Sequence, residues 1–309
     1  VIIDGMKLTS ATGYAQTEAM TGSQSKYFMT GFIGTLYGNS TVENLVFKNL
    51  TIQSPGSDYT ITGDKNNRNT VGIIGGILPD KNNREEAVEV VVRNIVVEDS
   101  CKIIGEASVG GIVGYIGAEN NYPNLKGSVT IENCKIECPV ESKDSLYIKG
   151  TYSPVGGIVG FTVRVDENAQ INIKNCVSAA ELKGYGMLGG LVGHMQAGKI
   201  NIINCDATGV TYVNAGNCTN QDDDGKYFNK NYVIEAMLIG TINSGKVMTV
   251  DIDTLTKNAV EENEGKVLIH SGDSTYTLGE SALTGTKYTY GHGITTYKYT
   301  VADYLAIAG

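Results

Sequence analysis

The sequence predicts an all-β protein, a right-handed parallel β-helix built from imperfect repeats of 33–47 residues. Three observations predict it. A glycine-rich motif returns six times along the chain, and a β-branched strand motif that ends in Asn returns five times. The spacing from glycine to Asn varies from 11 to 19 residues, and the spacing from Asn to the next glycine varies separately, from 18 to 36. Stacked repeats tolerate insertions of this kind in their loops, because each unit buries its apolar face only against its neighbours.

The first motif is an apolar segment built around glycines. Its copies are TGFIGTL, VGIIGGI, VGGIVGYI, VGGIVGFT, LGGLVGHM and a divergent MLIGTI. Glycine has no side chain, so it permits either a close backbone approach or a positive φ at a corner of the chain path. The last shared glycine of each copy is therefore a predicted structural position: Gly34, Gly75, Gly114, Gly160, Gly193 and Gly240.

The second motif predicts a strand that ends at an asparagine. Its copies are LVFKNLTI, VVVRNIVV, VTIENCKI, INIKNCVS and INIINCDA, and each alternates with period two before the Asn. Asparagine tolerates the left-handed backbone conformation, and stacked amides can hydrogen-bond one another as a ladder. The predicted ladder positions are Asn49, Asn94, Asn133, Asn175 and Asn204.

The cores GGIVG and GGLVG, followed by INIKNC or INIINC, resemble the GLUG-type repeats of bacterial secreted and surface proteins. The resemblance covers about residues 30–243 and is strongest at Gly110–Gly114, Gly156–Gly160 and Gly189–Gly193. It implies an extracellular or cell-surface protein with an adhesin-like role. It carries no catalytic residues.

Beyond Ile242 the repeat fades into short strand patterns. Asp253 is expected to begin a short helix that runs to Glu261, and TVADYLAIA is expected to form another. An open stack of strands exposes unpaired edges, so an atypical terminal unit is expected. We therefore expect a β-helix over residues 1–243 and a C-terminal β-rich cap or small domain over 244–309.

Composition restricts the partners. The net charge of -9 argues against nucleic acid, which needs a basic surface. No apolar run is long enough to span a bilayer, and the first residues do not form a signal peptide. We expect a chain that begins inside a longer precursor and contacts a membrane only through an anchor not present in this chain.

One insertion, residues 206–236, contains a candidate calcium loop. Asn220, Asp222 and Asp224 stand at alternate positions before Gly225, as in the first half of a calcium-binding loop. The closing glutamate is missing, since the twelfth position is Asn231. A solvated acidic loop is the favoured alternative, and no other cofactor is predicted.

The cysteines and one histidine fit structural positions. Cys134, Cys176 and Cys205 each follow the recurring Asn and should stack as small apolar groups, in the row of Leu50 and Ile95, without disulfides. Neither these nor the remaining cysteines have a zinc-site spacing. His194 stands where other copies have Tyr115 and Phe161, which predicts a structural variant of that position.

The expected function is a non-enzymatic, adhesin-like scaffold that recognises a host protein, a matrix protein or a glycan. The first alternative is a carbohydrate-active β-helix enzyme, which would need carboxylates in a groove beside a Lys or Arg. The second alternative is a structural stalk. The candidate carboxylates are Asp166, Glu167, Glu181 and Asp206. The C-terminal tyrosines either pack in the cap or form a sticky surface: Tyr276, Tyr288, Tyr290, Tyr297, Tyr299 and Tyr304.

Overall fold

The computed structural model describes residues 1–9, 27–54, 68–80, 82–106, 108–118, 122–143, 146–147, 153–215, 218–221, 227–230, 234–278, 281–289 and 295–308. The protein is all-β, and its four large sheets are parallel except at the C-terminal end.

The strands of the large sheets are as follows. The first sheet contains Ile2–Asp4, Ser40–Lys48, Val88–Val97, Gly127–Glu132, Gln170–Lys174, Lys199–Ile203 and Val247–Val250, with the short strands Lys135–Ile136 and Val177–Ser178 alongside. The second contains Lys7–Thr9, Thr51–Gln53, Lys102–Gly105, Val140–Ser142, Glu181–Gly184 and Thr211–Asn214. The third contains Tyr27–Thr30, Arg68–Val71, Ser108–Gly110, Val155–Gly156, Met187–Gly189 and Ile234–Ala236. The fourth contains Ile33–Tyr37, Ile74–Leu78, Val113–Gly117, Val159–Val163, Val192–Met195, Ile239–Ile242, Val267–Ser271, Thr295–Thr300 and Thr286–Thr289.

The chain enters these four sheets in the same order six times within the described residues. Strands of neighbouring units pair in parallel and in register, as where Val129 lies between Val90 and Ile171. Equivalent residues therefore form rows with about 4.8 Å between neighbours. The six units are residues 2–37, 40–78, 88–117, 127–163, 170–195 and 199–242.

The first sheet shows why these residues form strands. Its inward rows are β-branched and fully buried, as at Val90, Val129, Ile171 and Ile200, while the residues between them are partly or fully exposed. The third and fourth sheets lie against each other. The Ser108 hydroxyl donates to the Gly114 carbonyl at 2.8 Å, which links a third-sheet strand to a fourth-sheet strand.

The recurring glycines allow the third and fourth sheets to approach closely. A Cβ on Gly160 would lie 2.6 Å from the Gly114 oxygen and 2.7 Å from the Ser108 hydroxyl. The same crowding surrounds Gly75, Gly114 and Gly193, and none of these has a positive φ, so close approach and not turn geometry requires them. Gly34 is the exception, because its nearest neighbour would be the Met29 oxygen at 3.5 Å.

The asparagine ladder exists, with one change of member. Asn94, Asn133, Asn175 and Asn204 have φ between 51° and 56°. Each amide nitrogen donates to the amide oxygen of the preceding unit: Asn133 to Asn94 at 3.3 Å, Asn175 to Asn133 at 3.1 Å and Asn204 to Asn175 at 2.6 Å.

The fifth member is Asn44, and the prediction of Asn49 is wrong. Glu43 and Leu45 pair with Arg93 and Ile95, so Asn44 stands opposite Asn94 and accepts its amide at 2.9 Å. Asn49 lies after the strand ends, also with a positive φ, and donates to Asp4 at 2.8 Å. Both asparagines precede a leucine, so the local pattern does not distinguish them.

The cysteines that follow the ladder are buried free thiols. Cys134, Cys176 and Cys205 each place Sγ 3.3 Å from the carbonyl oxygen two residues earlier. Cys134 stands in the row of Ile95, as the sequence predicts. The prediction that Leu50 shares this row is wrong, because Thr51 pairs with Lys102 and Leu50 therefore stands opposite Cys101.

The C-terminal segment extends two of the sheets before the chain turns back. Val247–Val250 continues the first sheet and Val267–Ser271 continues the fourth, and the later strands pair antiparallel.

The helices are Ile252–Asn258 (α1) and Val301–Ala308 (α2), with a 3-10 turn at Glu261–Asn263. Helix α1 begins after Asp251, whose carboxylate accepts the Thr254 N–H at 2.9 Å, and not at Asp253 as predicted. The other strands are Thr275–Leu278 with Ser281–Thr284, and Leu146–Tyr147 with Cys218–Gln221 and Tyr227–Lys230.

Side chains of helix α1 cover the backbone that follows the strand Lys199–Ile203 in the last unit. Asp251 and Thr254 accept the backbone N–H groups of Asn204 and Cys205, at 3.0 and 2.9 Å. Asn258 accepts the N–H of Ala207 at 2.9 Å. These N–H groups would otherwise need the carbonyls of a next strand, so the helix satisfies them in its place.

Candidate binding cleft

Two kinds of connection join the sheets. The connections from the third to the fourth sheet are two residues long in every unit, and we call them together the glycine corner: 31–32, 72–73, 111–112, 157–158, 190–191 and 237–238. The connections from the fourth sheet to the first differ in length, and we call them the loop corner: 38–39, 79–87, 118–126, 164–169, 196–198 and 243–246. Because the strands are in register, the loops of the loop corner lie side by side.

A polar cleft of about 530 Å³ lies in the loop corner. It is open to solvent and is formed by residues of four successive connections and the strand end before one of them. Its lining residues are Asn124, Val163, Arg164, Val165, Asp166, Glu167, Gln196, Ala197 and Lys246. No single repeat builds the cleft, because its walls come from loops of different sequence.

Arg164 has an unusual backbone in this cleft. Its φ is +54°, in the left-handed region that L-residues other than Asn and Asp seldom adopt. Its carbonyl oxygen accepts the N–H groups of Ala118 and Leu125, at 3.3 and 3.0 Å, from the preceding connection. Elsewhere in the loop corner the positive φ angles of 65°, 87° and 72° belong to Gly38, Gly198 and Gly245.

The charged side chains of the cleft are two cations and two carboxylates. Among the described residues neither Arg164 nor Lys246 makes an ion pair, and both are partly buried. Asp166 uses one oxygen to accept the Asn168 N–H at 2.9 Å, and Glu167 is exposed. The formal charges of the cleft therefore cancel, while polar atoms remain available to a ligand.

Basic side chains border the cleft. The Lys126 ammonium lies 2.6 Å from Glu85, and this carboxylate, with a smaller contribution from Asp166, raises the pKa of Lys126. The Lys199 ammonium donates to the Asn168 side chain at 3.3 Å. These lysines are held by partners, unlike Arg164 and Lys246.

An exposed aromatic ring stands in the same corner. Tyr122 is 44% exposed, and the Arg84 guanidinium stacks 3.3 Å from its ring centroid. Tyr122 lies two residues before Asn124, which lines the cleft. The ring is thus an apolar surface beside a polar cleft.

The C-terminal tyrosines are mostly buried, as at Tyr276, Tyr299 and Tyr304. Tyr288 is exposed, Tyr297 is partly buried, and Tyr290 lies outside the described residues.

The predicted acidic residues do not converge as a group. Asp166 and Glu167 enter the cleft together with Arg164 and Lys246. Glu181 begins a strand of the second sheet, and Asp206 lies between the first and second sheets. The Asp206 carboxylate accepts the N–H and the hydroxyl of Thr208, at 2.9 and 2.7 Å, so it holds a local turn.

The candidate calcium loop is only partly described. Asn220 lies in the strand Cys218–Gln221, where its backbone pairs with Tyr147 and Phe228. Asp222 and Asp224 lie outside the described residues. In the part of the chain that the structure covers, no group of three or more His, Cys, Asp or Glu side chains is arranged to hold a metal ion.

His194 is buried in a row of the fourth sheet. It pairs with Phe161, which pairs with Tyr115, and the rings of His194 and Phe161 are 5.2 Å apart. Burial lowers the pKa of His194 to about 3. The imidazole is therefore neutral at ordinary pH, as expected for a packing position.

Sequence reasoning missed Arg164, Gln196 and Lys246. Arg164 and Gln196 directly follow fourth-sheet strands, and Lys246 directly precedes a first-sheet strand. A search of the connections after each glycine motif could have found them. Their meeting in one cleft depends on register between units, which single motifs do not provide.

No family model matches the sequence, and no curated protein is significantly similar to it. A crystal structure from Bacteroides ovatus, described as "a putative immunoglobulin A1 protease", is similar with a TM-score of 0.48 and 18% identity. The match covers 94% of this chain and 64% of that chain, so this chain spans less than two thirds of that length. A likeness of this size carries no conclusion about activity.

Fold and cleft together define an all-β protein of stacked parallel strands with a polar surface cleft. Within the described residues no helix is long and apolar enough to cross a membrane.

Proposed function

We propose that the chain is a right-handed parallel β-helix of GLUG-like repeats that serves as a non-catalytic, adhesin-like binding scaffold. The six units that enter four sheets in a fixed order support the β-helix. The two sequence anchors per unit support the GLUG-like repeat. The in-register strands hold the loops of the loop corner side by side. Binding residues often lie on surface loops that a rigid scaffold positions in this way.

The observation that carries the proposed binding function is the cleft at Arg164 and Lys246. Both side chains are partly buried, and neither makes an ion pair among the described residues. A charged group held near a cleft without a protein partner is available to a ligand, because partial burial has already removed part of its hydration. The proposed ligand is a surface protein or a glycan, met outside the cell or at its surface.

Tyr122 supports a glycan as the ligand. Sugar rings present flat apolar faces as well as hydroxyl groups, and exposed aromatic rings offer a matching surface. The stacked Arg84 guanidinium holds the ring in place. Polar groups for hydroxyls lie in the adjoining cleft, at Asn124 and Gln196.

A carbohydrate-active enzyme is the second candidate, favoured by one observation. Asp166 and Glu167 stand in the same cleft, and glycoside hydrolysis uses a pair of carboxylates. Three facts favour binding instead. The carboxylates are consecutive in a turn, Asp166 already accepts a backbone N–H, and the cleft is open to water.

The test is a glycan array together with immobilised matrix proteins. We expect the purified chain to bind at least one ligand, and Lys246→Ala to weaken that binding about tenfold, equal to about 1.4 kcal/mol. Lys102→Ala is the matched control, because Lys102 is an exposed lysine on the second sheet. No binding on either array, or equal losses in both variants, contradicts the proposal. New reducing ends or new double bonds in a bound glycan would establish the enzyme instead.

A further inference from the structure

Arg164 occupies a conformation that glycine adopts elsewhere in the loop corner. Its φ of +54° compares with 65° at Gly38 and 72° at Gly245. The backbone there has a defined task, because the Arg164 carbonyl accepts two N–H groups from the preceding connection. A glycine would perform that task without the steric cost of a Cβ in the left-handed region. The backbone therefore gives no reason for an arginine.

Among the residues that the structure describes, the Arg164 side chain has no hydrogen-bonding or ion-pairing partner. Its guanidinium makes no hydrogen bond or ion pair with any described residue, although it is partly buried. By contrast, Arg93 on the first sheet is held by Glu43 at 2.6 Å. A residue with a strained backbone and an unpaired guanidinium beside a cleft points to a role in binding.

We propose that Arg164 is the specificity-determining residue of the cleft and that it binds the carboxylate of an acidic sugar. This rests on the proposed binding function. A guanidinium presents parallel N–H groups that match the two oxygens of a carboxylate. Lys246, on the same cleft, is a second cation for that group.

The remaining groups of the cleft fit the rest of such a sugar. Asp166 and Glu167 accept hydrogen bonds from sugar hydroxyls, and Asn124 and Gln196 both donate and accept. The formal charge of the cleft is zero, and the chain as a whole carries -9. A ligand with one carboxylate per sugar meets less repulsion here than a densely sulfated chain does.

The test uses two matched pairs of probes measured by isothermal titration calorimetry. One pair is a galacturonic acid trisaccharide and its carboxyl-reduced form, and the other is sialyllactose and lactose. We expect one acidic probe to bind at least tenfold more tightly than its neutral counterpart, and the responding pair identifies the source of the carboxylate. Arg164→Gly should abolish this preference, so that the acidic probe and its neutral counterpart bind this variant equally tightly. Arg164→Lys should retain part of it.

Stability measurements separate binding from a structural role. Arg164→Gly should unfold at the same temperature as the unchanged chain or higher, since it relieves a strained backbone. A clear loss of stability would assign the side chain to the fold and overturn the inference. So would an acidic preference that survives Arg164→Gly, or a sulfated trisaccharide that binds more tightly than the uronate.

The two proposals fail differently. If the chain binds neutral glycans in a Lys246-dependent way and shows no acidic preference, the proposed function stands and the role of Arg164 is wrong. If no glycan and no matrix protein binds, the proposed function itself is wrong. Lys102→Ala again serves as the control, with affinities equal to those of the unchanged chain.

Discussion

The glycine corner and the loop corner stand at the two ends of the same fourth-sheet strands, yet they differ in almost every respect. The glycine corner has two residues in every unit, while the loop corner has between two and nine. A Cβ added at Gly72 in the glycine corner would lie 2.7–2.9 Å from three backbone atoms, whereas a Cβ at Gly245 in the loop corner would meet nothing within 4 Å. Repetition therefore marks packing. The residues available for binding lie where the units differ.

The largest expected effect comes from a Gly→Ala substitution, which adds one methyl group and is compared between the two corners. Gly72→Ala, in the glycine corner, places a Cβ 2.7–2.9 Å from three backbone atoms, and we expect a loss of at least about 3 kcal/mol in the free energy of unfolding. Gly245→Ala, in the loop corner, carries only the strain of its φ of +72°, about 1–2 kcal/mol. Urea unfolding measures both. Equal losses would remove the distinction between the corners.

The next effect concerns pH and the buried row beside the glycine corner. Burial holds the pKa of His194 at about 3, below its ordinary 6.5. The unfolded chain thus binds a proton more readily than the folded chain between these values, so stability falls as pH falls through that window. The slope for one such histidine is about 1.4 kcal/mol per pH unit.

His194→Phe should remove that part of the acid sensitivity, because Phe161 already fills the same row one unit earlier. We expect the difference between variant and unchanged chain to grow by about 2–3 kcal/mol from pH 6.5 to pH 4.5. Thermal or urea unfolding at several pH values measures it. Parallel pH profiles for the two chains would show that His194 is not a buried neutral group.

The asparagine ladder tests a repeated position outside both corners. Asn175→Ala loses the amide bonds to Asn133 and Asn204 and keeps a left-handed φ of 51°, so we expect a cost of about 1–3 kcal/mol. Asn175→Gly loses the same bonds but relieves the backbone, and should cost about 1 kcal/mol less. If glycine is no better than alanine, the left-handed backbone is not what selects asparagine.

The smallest effect belongs to the exposed surface of the first sheet. Arg93 lies 2.6 Å from Glu43 and 3.9 Å from Glu132, and its side chain is 44% exposed. Arg93→Ala should cost under about 1 kcal/mol, because exposed ion pairs are weak. The difference should shrink further in 1 M salt, which screens the pair. A larger loss would mean that this repeated surface row also stabilises the fold.

The sequence predicts the strands of this protein better than it predicts which residues of neighbouring units pair. Alternating β-branched residues and recurring glycines specify strands wherever they occur, so the units could be found. Asn49 was misplaced because Asn44–Leu45 and Asn49–Leu50 present the same pair within one segment. Hydrogen bonds between units decide between them, and these are invisible in one unit. The choice of Asp253 over Asp251 as the start of helix α1 failed for the same reason, since Asp251 also accepts the N–H of Asn204.

The cleft could be predicted only in part. The sequence alone indicates Asp166 and Glu167 as candidates, because they are carboxylates in a predicted loop. Arg164 and Lys246 are 82 residues apart, and only the stacking of unlike loops brings them to one cleft. Arg164 has a left-handed backbone, and its carbonyl accepts two N–H groups of the preceding connection. These hydrogen bonds come from another unit, so the sequence around Arg164 does not predict them.

Helix α1 has a consequence for how this protein can change in length. Its side chains accept the N–H groups of Asn204, Cys205 and Ala207 in the last unit. Unit 5 carries a similar sequence at Asn175 and Cys176, so a duplicated or deleted unit would present almost the same surface to the helix. These contacts of helix α1 therefore do not depend on how many units precede it. Insertion or deletion of a whole unit would change each large sheet by one strand, about 4.8 Å, and leave these contacts in place.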